Sequence, residues 1–178
     1  DELDGVIFLG TGNQPKAVVD SGLKLAHIAK LVRGERYRSE LLNTIMFGAY
    51  NKRIKDNRTA NDWLTKDTKI VDEYLSDPKC SYKFTANAYI GFLNVIKYDI
   101  DKKNIAKTPD KLPVLFASGL EDPVGDYGKG VKKAFKMYTK YVDNVELYLY
   151  EDDRHELHSE TDREDIFSDL YEWIEENV

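Results

Sequence analysis

Two polar loops in the carboxyl-terminal half of the chain carry residue types suited to nucleophilic catalysis. Asp122 lies in the stretch GLEDPVGD, and His155 lies in the stretch EDDRHELHSE. Each stretch follows a short apolar run of the kind that forms a buried strand. An acid that orients an imidazole, and an imidazole that removes the proton of a nucleophile, are two members of a catalytic triad. The two loops therefore predict the acid and the base of such a triad.

Asp122 and His155 each have a second interpretation. An Asp before a proline, as at Asp122 and Pro123, is common in turns. His155 is followed three residues later by His158, and a pair of histidines can hold a metal ion. The pattern lacks the H-E-x-x-H frame of a zinc site on a helix, however. We therefore prefer the acid and base interpretation, and we predict neither a metal ion nor a cofactor.

A nucleophile is harder to find in this sequence. A serine nucleophile on a strand-to-helix turn would stand in a G-x-S-x-G pattern, and that pattern does not occur. Ser118 falls at the end of a predicted strand, whereas Ser21 and Ser39 fall in helical segments. Cys80 follows an Asp-Pro turn away from any strand end, so a structural thiol is the simpler interpretation. We predict that the nucleophilic serine is missing from this chain.

Composition limits the class of protein. The chain has 178 residues, of which 42% are hydrophobic, which is enough for one domain with a core. Its formal net charge of −6 argues against a nucleic-acid partner. The single cysteine excludes an intrachain disulfide and fits a reducing compartment. No apolar run reaches the length of a membrane span. We expect a cytoplasmic protein.

The elements that must position the two loops follow from the hydrophobic pattern. Apolar, partly β-branched runs predict three strands, and a long segment between the first two predicts helices. Two further helices follow the second and third strands, the last with a capping box at Thr161 and Glu164. The strands are predicted at residues 4–10, 112–118 and 145–150, the first buried on both faces. This order indicates an α/β fold with a parallel sheet, in which loops after neighbouring strands meet at one edge.

Residues 14–100 are predicted to form a helical cap, or lid, inserted into a core made of residues 1–13 and 101–178. Ser39–Phe47 is predicted as a short helix, Asp67 and Thr85 are predicted to cap two further helices, and Gly34 ends the first. The apolar face of that first helix is predicted from spacings of three and four. It comprises Val18, Gly22, Leu25, Ala29 and Val32. The cap aromatics are either core residues or part of a substrate pocket: Trp63, Phe84, Tyr89 and Phe92.

Four stretches of the chain together resemble a known family. They are DGVIFLGTGNQP, NDWLTKDTKIVDEYLSDPKC, LPVLFASGLEDPVGDYGKGVK and VELYLYEDDRHELHSE. The chain is similar to the carboxyl-terminal portion of α/β-hydrolases of the monoglyceride lipase and lysophospholipase group. The resemblance implies a partial α/β-hydrolase fold that lacks the amino-terminal half of the sheet. It also implies a serine ester hydrolase in which Asp122 matches the triad acid and His155 the triad histidine.

The family pattern is incomplete here, because its amino-terminal strands, oxyanion-hole loop and serine elbow have no counterpart. We therefore expect a piece of a longer protein, inactive alone, that acts on an ester or lipid substrate. Its expected partners are the missing amino-terminal part and, through the unpaired apolar edge of the first strand, other copies of itself. The alternative is a non-catalytic α/β module or binding protein in which Asp122 and His155 are only structural.

Overall fold

Three parallel strands form one sheet in the computed structural model, which describes residues 3–55 and 57–178. The strands are β1 (Val6–Leu9), β2 (Val114–Gly119) and β3 (Val145–Tyr150), in the order β1-β2-β3. Phe8 pairs with Phe116, and Phe116 pairs with Leu147. The predicted parallel sheet is confirmed. The first two residues of the predicted core segment 1–13 lie outside the described part of the chain.

The middle strand is the most deeply buried part of the sheet. Every residue of β2 is buried, because β2 has a strand on each side and side chains packed on both faces. The prediction that β1 is buried on both faces is wrong. Its residues are only partly buried, and Leu9 is 43% exposed. The physical reason is that, within the described residues, β1 pairs on one side only.

Helices make up most of the remaining chain, as predicted. In residues 14–100 they are α1 (Lys16–Arg33), α2 (Glu40–Phe47), α3 (Thr68–Ser76) and α4 (Ala86–Asp99). A single 3-10 turn at Tyr50–Arg53 follows α2. The rest of the chain adds α5 (Lys102–Ile105), α6 (Lys129–Tyr138), a 3-10 turn at Leu157–Ser159, and α7 (Arg163–Asn177). The division into core and cap stays a prediction.

Local signals located most helix ends correctly. The side chains of Ser39, Asp67 and Thr85 each accept a backbone N–H from the first turn of the helix that follows. Gly34 ends α1 with a φ of 91°, a conformation that favours glycine. The predicted capping box at Thr161 is wrong. Asp162 precedes α7 instead, and its side chain makes no capping hydrogen bond.

The predicted apolar face of α1 needs correction. In α1 the buried residues are Val19, Gly22, Leu23 and Ala26, whereas Val18, Leu25 and Val32 are exposed. Apolar residues occur on nearly every side of this helix, so periodicity did not decide which side faces inward. Packing decides it, because α4 lies along α1 and brings Leu93 against Val19 and Leu23. In α7 the buried residues are Ile166 and Trp173.

Two apolar clusters hold the sheet between helices. On one face α6 covers β2, through Val114, Phe116, Val131, Ala134 and Val142. On the other face Ala117 packs against Leu157 and Ile166, which ties α7 to the sheet. Both clusters share β2, so the middle strand is held from both sides. Among the described residues, no helix is long and apolar enough to cross a bilayer.

The close packing at the end of β2 predicts that position 119 requires glycine. A Cβ built on Gly119 would lie 2.1 Å from the backbone oxygen of Asp153, so Gly119→Ala must push two backbones apart. We expect a loss of at least about 2 kcal/mol in the free energy of unfolding, measured by urea denaturation. The control is Gly91→Ala within α4, where the added Cβ meets nothing within 4 Å. That variant should gain about 0.5–1 kcal/mol. Equal stability of the two variants would contradict this packing.

Candidate active site

Asp122 and His155 meet at the carboxyl edge of the sheet. Asp122 lies in the loop after β2, and His155 lies in the loop after β3. The Oδ2 atom of Asp122 is 3.1 Å from the Nδ1 atom of His155, within the distance expected for a hydrogen bond. The Asp122 side chain is fully buried, whereas 27% of the His155 side chain is exposed. The acid is therefore shielded from water while the imidazole remains accessible.

The loop that carries Asp122 is held by its own backbone. The second carboxylate oxygen, Oδ1, accepts the N–H of Val124 at 2.8 Å, which leaves Oδ2 for His155. The N–H of Tyr127 bonds to the carbonyl of Asp122 at 2.9 Å. Asp126 and Tyr127 both adopt left-handed backbone angles, with φ of 47° and 53°. Such angles are costly for residues other than glycine, so the surrounding structure must hold this turn in place.

Two neighbouring segments hold the loop that carries His155. The N–H of Glu121 donates to the carbonyl of Asp153 at 2.8 Å, which joins the acid loop to the histidine loop. Gly10, just past β1, approaches the imidazole closely. A Cβ at Gly10 would lie 2.9 Å from Nδ1 of His155. The sequence does not predict this close contact between Gly10 and the imidazole.

The hydrogen bond between the pair implies one arrangement of the imidazole proton. An ionised carboxylate only accepts hydrogen bonds, so Nδ1 of His155 carries the proton that points toward Asp122. The Nε2 atom is then the basic nitrogen of the neutral ring. A carboxylate in this position also stabilises the imidazolium formed when Nε2 takes up a proton. The geometry suits a general base.

Aromatic side chains from the helical region line one side of the imidazole. The ring centroid of Trp63 lies 5.2 Å from that of His155. Trp63 also packs edge-on against Tyr50 at 4.8 Å and stacks with Phe47 at 6.4 Å. Burial raises the pKa of Tyr50, and the negative charge of Asp122 raises it further. These contacts form an apolar wall next to the polar pair.

The four aromatic residues singled out from the sequence thus separate into two groups. Only Trp63 contacts His155. Phe84 packs edge-on against Tyr89 and Phe92 in a second group, with Tyr89 fully buried. Phe47 and Tyr50, which were not singled out, join Trp63 in the group next to the imidazole. No spacing in the sequence distinguished them, because the contact depends on how the segment from Phe47 to Trp63 folds back.

Residues 62–66 are bonded directly to the histidine loop. The guanidinium of Arg154 donates from Nη1 to the carbonyls of Asp62, at 2.7 Å, and Thr65, at 2.9 Å. The N–H of Glu156 donates to the carbonyl of Leu64 at 2.8 Å. The residues on both sides of His155 therefore hold the segment that contains Trp63. The sequence carries no pattern that predicts these bonds, because all of them end on backbone carbonyls.

A group of acidic residues lies next to the hydrogen bonds that join residues 62–66 to the histidine loop. Asp153, Glu160 and Asp162 each offer a carboxylate oxygen, and these oxygens lie within 4.8 Å of one another. Burial raises the pKa of both Asp153 and Glu160. Lys66 bonds to Asp153 and lies 3.6 Å from Asp162. Burial alone would lower the pKa of Lys66, but the bond to Asp153 and the negative charges of Asp153, Glu160 and Asp162 together raise it. The ammonium group of Lys66 thus places a positive charge next to these carboxylates.

The serines and the cysteine considered from the sequence have local partners. Ser118 is buried in β2, and its hydroxyl donates to the carbonyl of Gly119 at 3.3 Å. Ser39 caps α2, and Ser21 donates to the carbonyl of Ala17. Loss of hydration and the nearby Asp77 raise the pKa of the Cys80 thiol, so this thiol ionises less readily. In the described part of the chain, none of the four hydrogen-bonds to His155.

Comparison with known proteins agrees with this architecture. A family model described as "Serine aminopeptidase, S33" matches residues 1–162. A search of curated protein sequences gives no significant match. Among solved structures, a thermostable carboxyl esterase from Bacillus coagulans superimposes with a TM-score of 0.88 at 23% identity. That match covers 98% of this chain and 57% of the esterase.

Two further solved structures also superimpose on nearly all of this chain while extending well beyond it. One described as a lipase in its open form has a TM-score of 0.81 at 27% identity, covering 98% of this chain and 57% of that one. A soluble variant of monoglyceride lipase from Saccharomyces cerevisiae has a TM-score of 0.68 at 21% identity. That match covers 100% of this chain and 55% of the yeast protein. The resemblance to α/β-hydrolases and the partial α/β-hydrolase fold are confirmed, and the chain spans little more than half the length of these structures.

The close approach of Gly10 to the imidazole predicts the effect of a methyl group there. Gly10→Ala should move the His155 ring, because the Cβ overlaps it, and should also cost about 1–2 kcal/mol for its φ of 59°. The control is Gly34→Ala, at φ 91° with nothing within 4 Å of the added Cβ. Both variants should lose stability in a thermal melt. Only Gly10→Ala should shift the His155 ring signals in NMR spectra, and unchanged ring signals would contradict the contact.

Proposed function

The chain belongs to the serine aminopeptidase S33 family, and on that premise we propose that it supplies the acid and the histidine of a serine hydrolase triad. Asp122 is the acid and His155 is the base. The nucleophilic serine and the oxyanion hole are contributed by residues outside this chain. Residues 14–100 form a cap over the site, and residues 1–13 and 101–178 belong to the core. The activity is hydrolysis of a carboxylic ester.

The observation that carries this proposal is the Asp122–His155 hydrogen bond of 3.1 Å at the carboxyl edge of the sheet. In open parallel sheets this edge is the usual position of a ligand site. A buried acid bonded to one nitrogen of a partly exposed imidazole leaves the other nitrogen to act on a substrate or nucleophile. A purely structural pair would not require an accessible imidazole.

The proposed reaction has two halves. His155 Nε2 takes the proton of the serine hydroxyl while the serine oxygen attacks the ester carbonyl carbon. The resulting imidazolium, stabilised by Asp122, gives that proton to the departing alcohol as the ester C–O bond breaks. Water then attacks the acyl-serine with the same base, and the serine leaves with its proton restored. The products are the acid and the alcohol, and no oxidant or metal ion takes part.

The wall made by Phe47, Tyr50 and Trp63 supports an ester with an apolar acyl or alkyl group. These rings lie beside the imidazole, so a substrate carbonyl near Nε2 has apolar surface next to it. The solved structures to which the chain is similar are described as a carboxyl esterase and lipases. We therefore propose an ester of esterase or lipase type, such as a monoacylglycerol or a lysophospholipid.

Substitution of the base gives the direct test in the complete enzyme. His155→Gln should lower kcat/KM for a nitrophenyl ester at least about a thousandfold, since loss of one triad member removes the activity of the unit. The matched control is His158→Gln, in the same loop and exposed, which should stay within about twofold of the starting enzyme. A similar effect of the two substitutions would remove the case for His155 as base and favour a non-catalytic module.

A second prediction concerns the 178-residue chain alone. Without a nucleophile it should not hydrolyse a nitrophenyl ester above background, and no serine should react with a fluorophosphonate. Mass spectrometry of the treated chain measures the labelling. Stoichiometric labelling of Ser118 or of any other serine within this chain would overturn the proposal that the nucleophile lies outside it.

The edge of β1 is a candidate surface for association with another strand. Within the described residues β1 pairs only with β2, and Leu9 at its end is 43% exposed. An unpaired strand edge offers backbone N–H and C=O groups to another strand. We propose that this edge pairs with the rest of the enzyme, and that in its absence two copies associate through it. Analytical ultracentrifugation of the isolated chain should then show dimers or larger species, and a strictly monomeric chain at micromolar concentration would contradict this.

A further inference from the structure

Glu160 is a fully buried carboxylate with no part in the proposed reaction. Its Oε1 atom accepts the backbone N–H of Arg154 at 2.8 Å. Its Oε2 atom lies 3.0 Å from both the backbone N–H of Lys66 and the hydroxyl of Thr65. A buried carboxylate needs such bonds to offset its lost hydration. These bonds link two distant parts of the chain.

The two linked segments are the ones that flank the imidazole. Arg154 directly precedes His155 in the histidine loop. Thr65 and Lys66 belong to the segment 62–66, which also carries Trp63, whose ring packs on the imidazole at 5.2 Å. One oxygen of Glu160 thus bonds the backbone of Arg154, the residue before the base, and the other oxygen bonds the backbone of Lys66, three residues after Trp63.

We propose that Glu160 is a positioning residue, which fixes His155 both toward Asp122 and against Trp63 by bonding the two segments to opposite oxygens of one carboxylate. This inference rests on the proposed function of His155 and names a further residue on which that function depends. Glu160 itself does not touch the substrate. It acts through the backbone of Arg154, and its loss should release the histidine loop from the 62–66 segment on that side.

A carboxylate is the group that this position requires. Both of its oxygens accept, and both here receive backbone N–H groups. The amide of glutamine has only one accepting atom, so its NH₂ group would face one of the two N–H donors. Either Arg154 or Lys66 would then lose its partner in a buried site, which is more damaging than a missing bond at the surface.

The nearby acids do not favour a metal ion as the purpose of Glu160. Asp153 and Asp162 complete the acidic group, but the ammonium of Lys66 already bonds to Asp153 and lies 3.6 Å from Asp162. Glu160 directs its oxygens toward N–H groups and a hydroxyl. The bonding pattern is that of a structural link between backbones.

The test compares Glu160→Gln with Glu151→Gln, the same change at an exposed position at the start of the histidine loop. Hydrogen exchange of the Arg154 and Lys66 amides, and of the proton on Nδ1 of His155, is followed by NMR in the complete enzyme. For Glu160→Gln, we expect at least one of the two amides and the Nδ1 proton to exchange roughly ten- to a hundredfold faster. Glu151→Gln should match the unmodified chain within about twofold.

A lower melting temperature with unchanged exchange of the Nδ1 proton would show that Glu160 only stabilises the fold, which would overturn the proposal. If Glu160→Gln does not fold, Glu160→Asp keeps the charge but is one methylene shorter, so it reaches only one of the two segments. That variant should show the same faster exchange, and exchange within twofold of the unmodified chain would equally overturn the proposal. Because exchange is read without substrate, an inactive enzyme would count against the proposed function and leave this result interpretable.

Discussion

Parallel pairing of β2 with β3 is the constraint on which the candidate site depends. The pairing runs to the last residues of both strands, where Gly119 lies opposite Tyr150. Because the strands end together, the loops that follow leave the sheet at the same edge and meet within a few residues. Gly119 permits this meeting, since any side chain there would strike the carbonyl of Asp153. The N–H of Glu121 bonds to that same carbonyl and brings the loops into register.

The helical region of residues 14–100 is bonded directly to this edge of the sheet. Its segment 62–66 bonds to the residues just before and after His155, through carbonyl groups that accept from Arg154 and Glu156. The same segment places Trp63 beside the imidazole. The acid, the base and the aromatic wall therefore belong to one bonded unit. A movement of residues 14–100 away from this edge would need to leave this segment in place or break several hydrogen bonds together.

Features set by neighbouring residues could be predicted from the sequence. The caps at Asp67 and Thr85, the stop at Gly34 and the exact limits of the third strand all depend on a few adjacent residues. The pairing of Asp122 with His155 was also predictable, because the β-α-β order forces their loops to one edge. The family resemblance then suggested roles for both residues that no local pattern supplies.

Features set by distant contacts could not be predicted in this way. The buried face of α1 depends on where α4 lies, since the helix is apolar on most sides. Glu160 looks like one acid in a charged loop, and its burial becomes evident only when segment 62–66 folds over it. The partial exposure of β1 likewise follows from its having one strand partner among the described residues, which its apolar sequence does not reveal.

The tautomer of His155 is the most direct test of the central claim, that Asp122 orients this imidazole as a base. Long-range nitrogen–proton NMR spectra of the chain, recorded where the ring is neutral, show which ring nitrogen carries the proton. We expect the proton on Nδ1, facing the Asp122 carboxylate 3.1 Å away, and we expect Asp122→Asn to abolish that preference. A proton found on Nε2 in the unmodified chain would contradict the claim, because that nitrogen would then be unable to accept one.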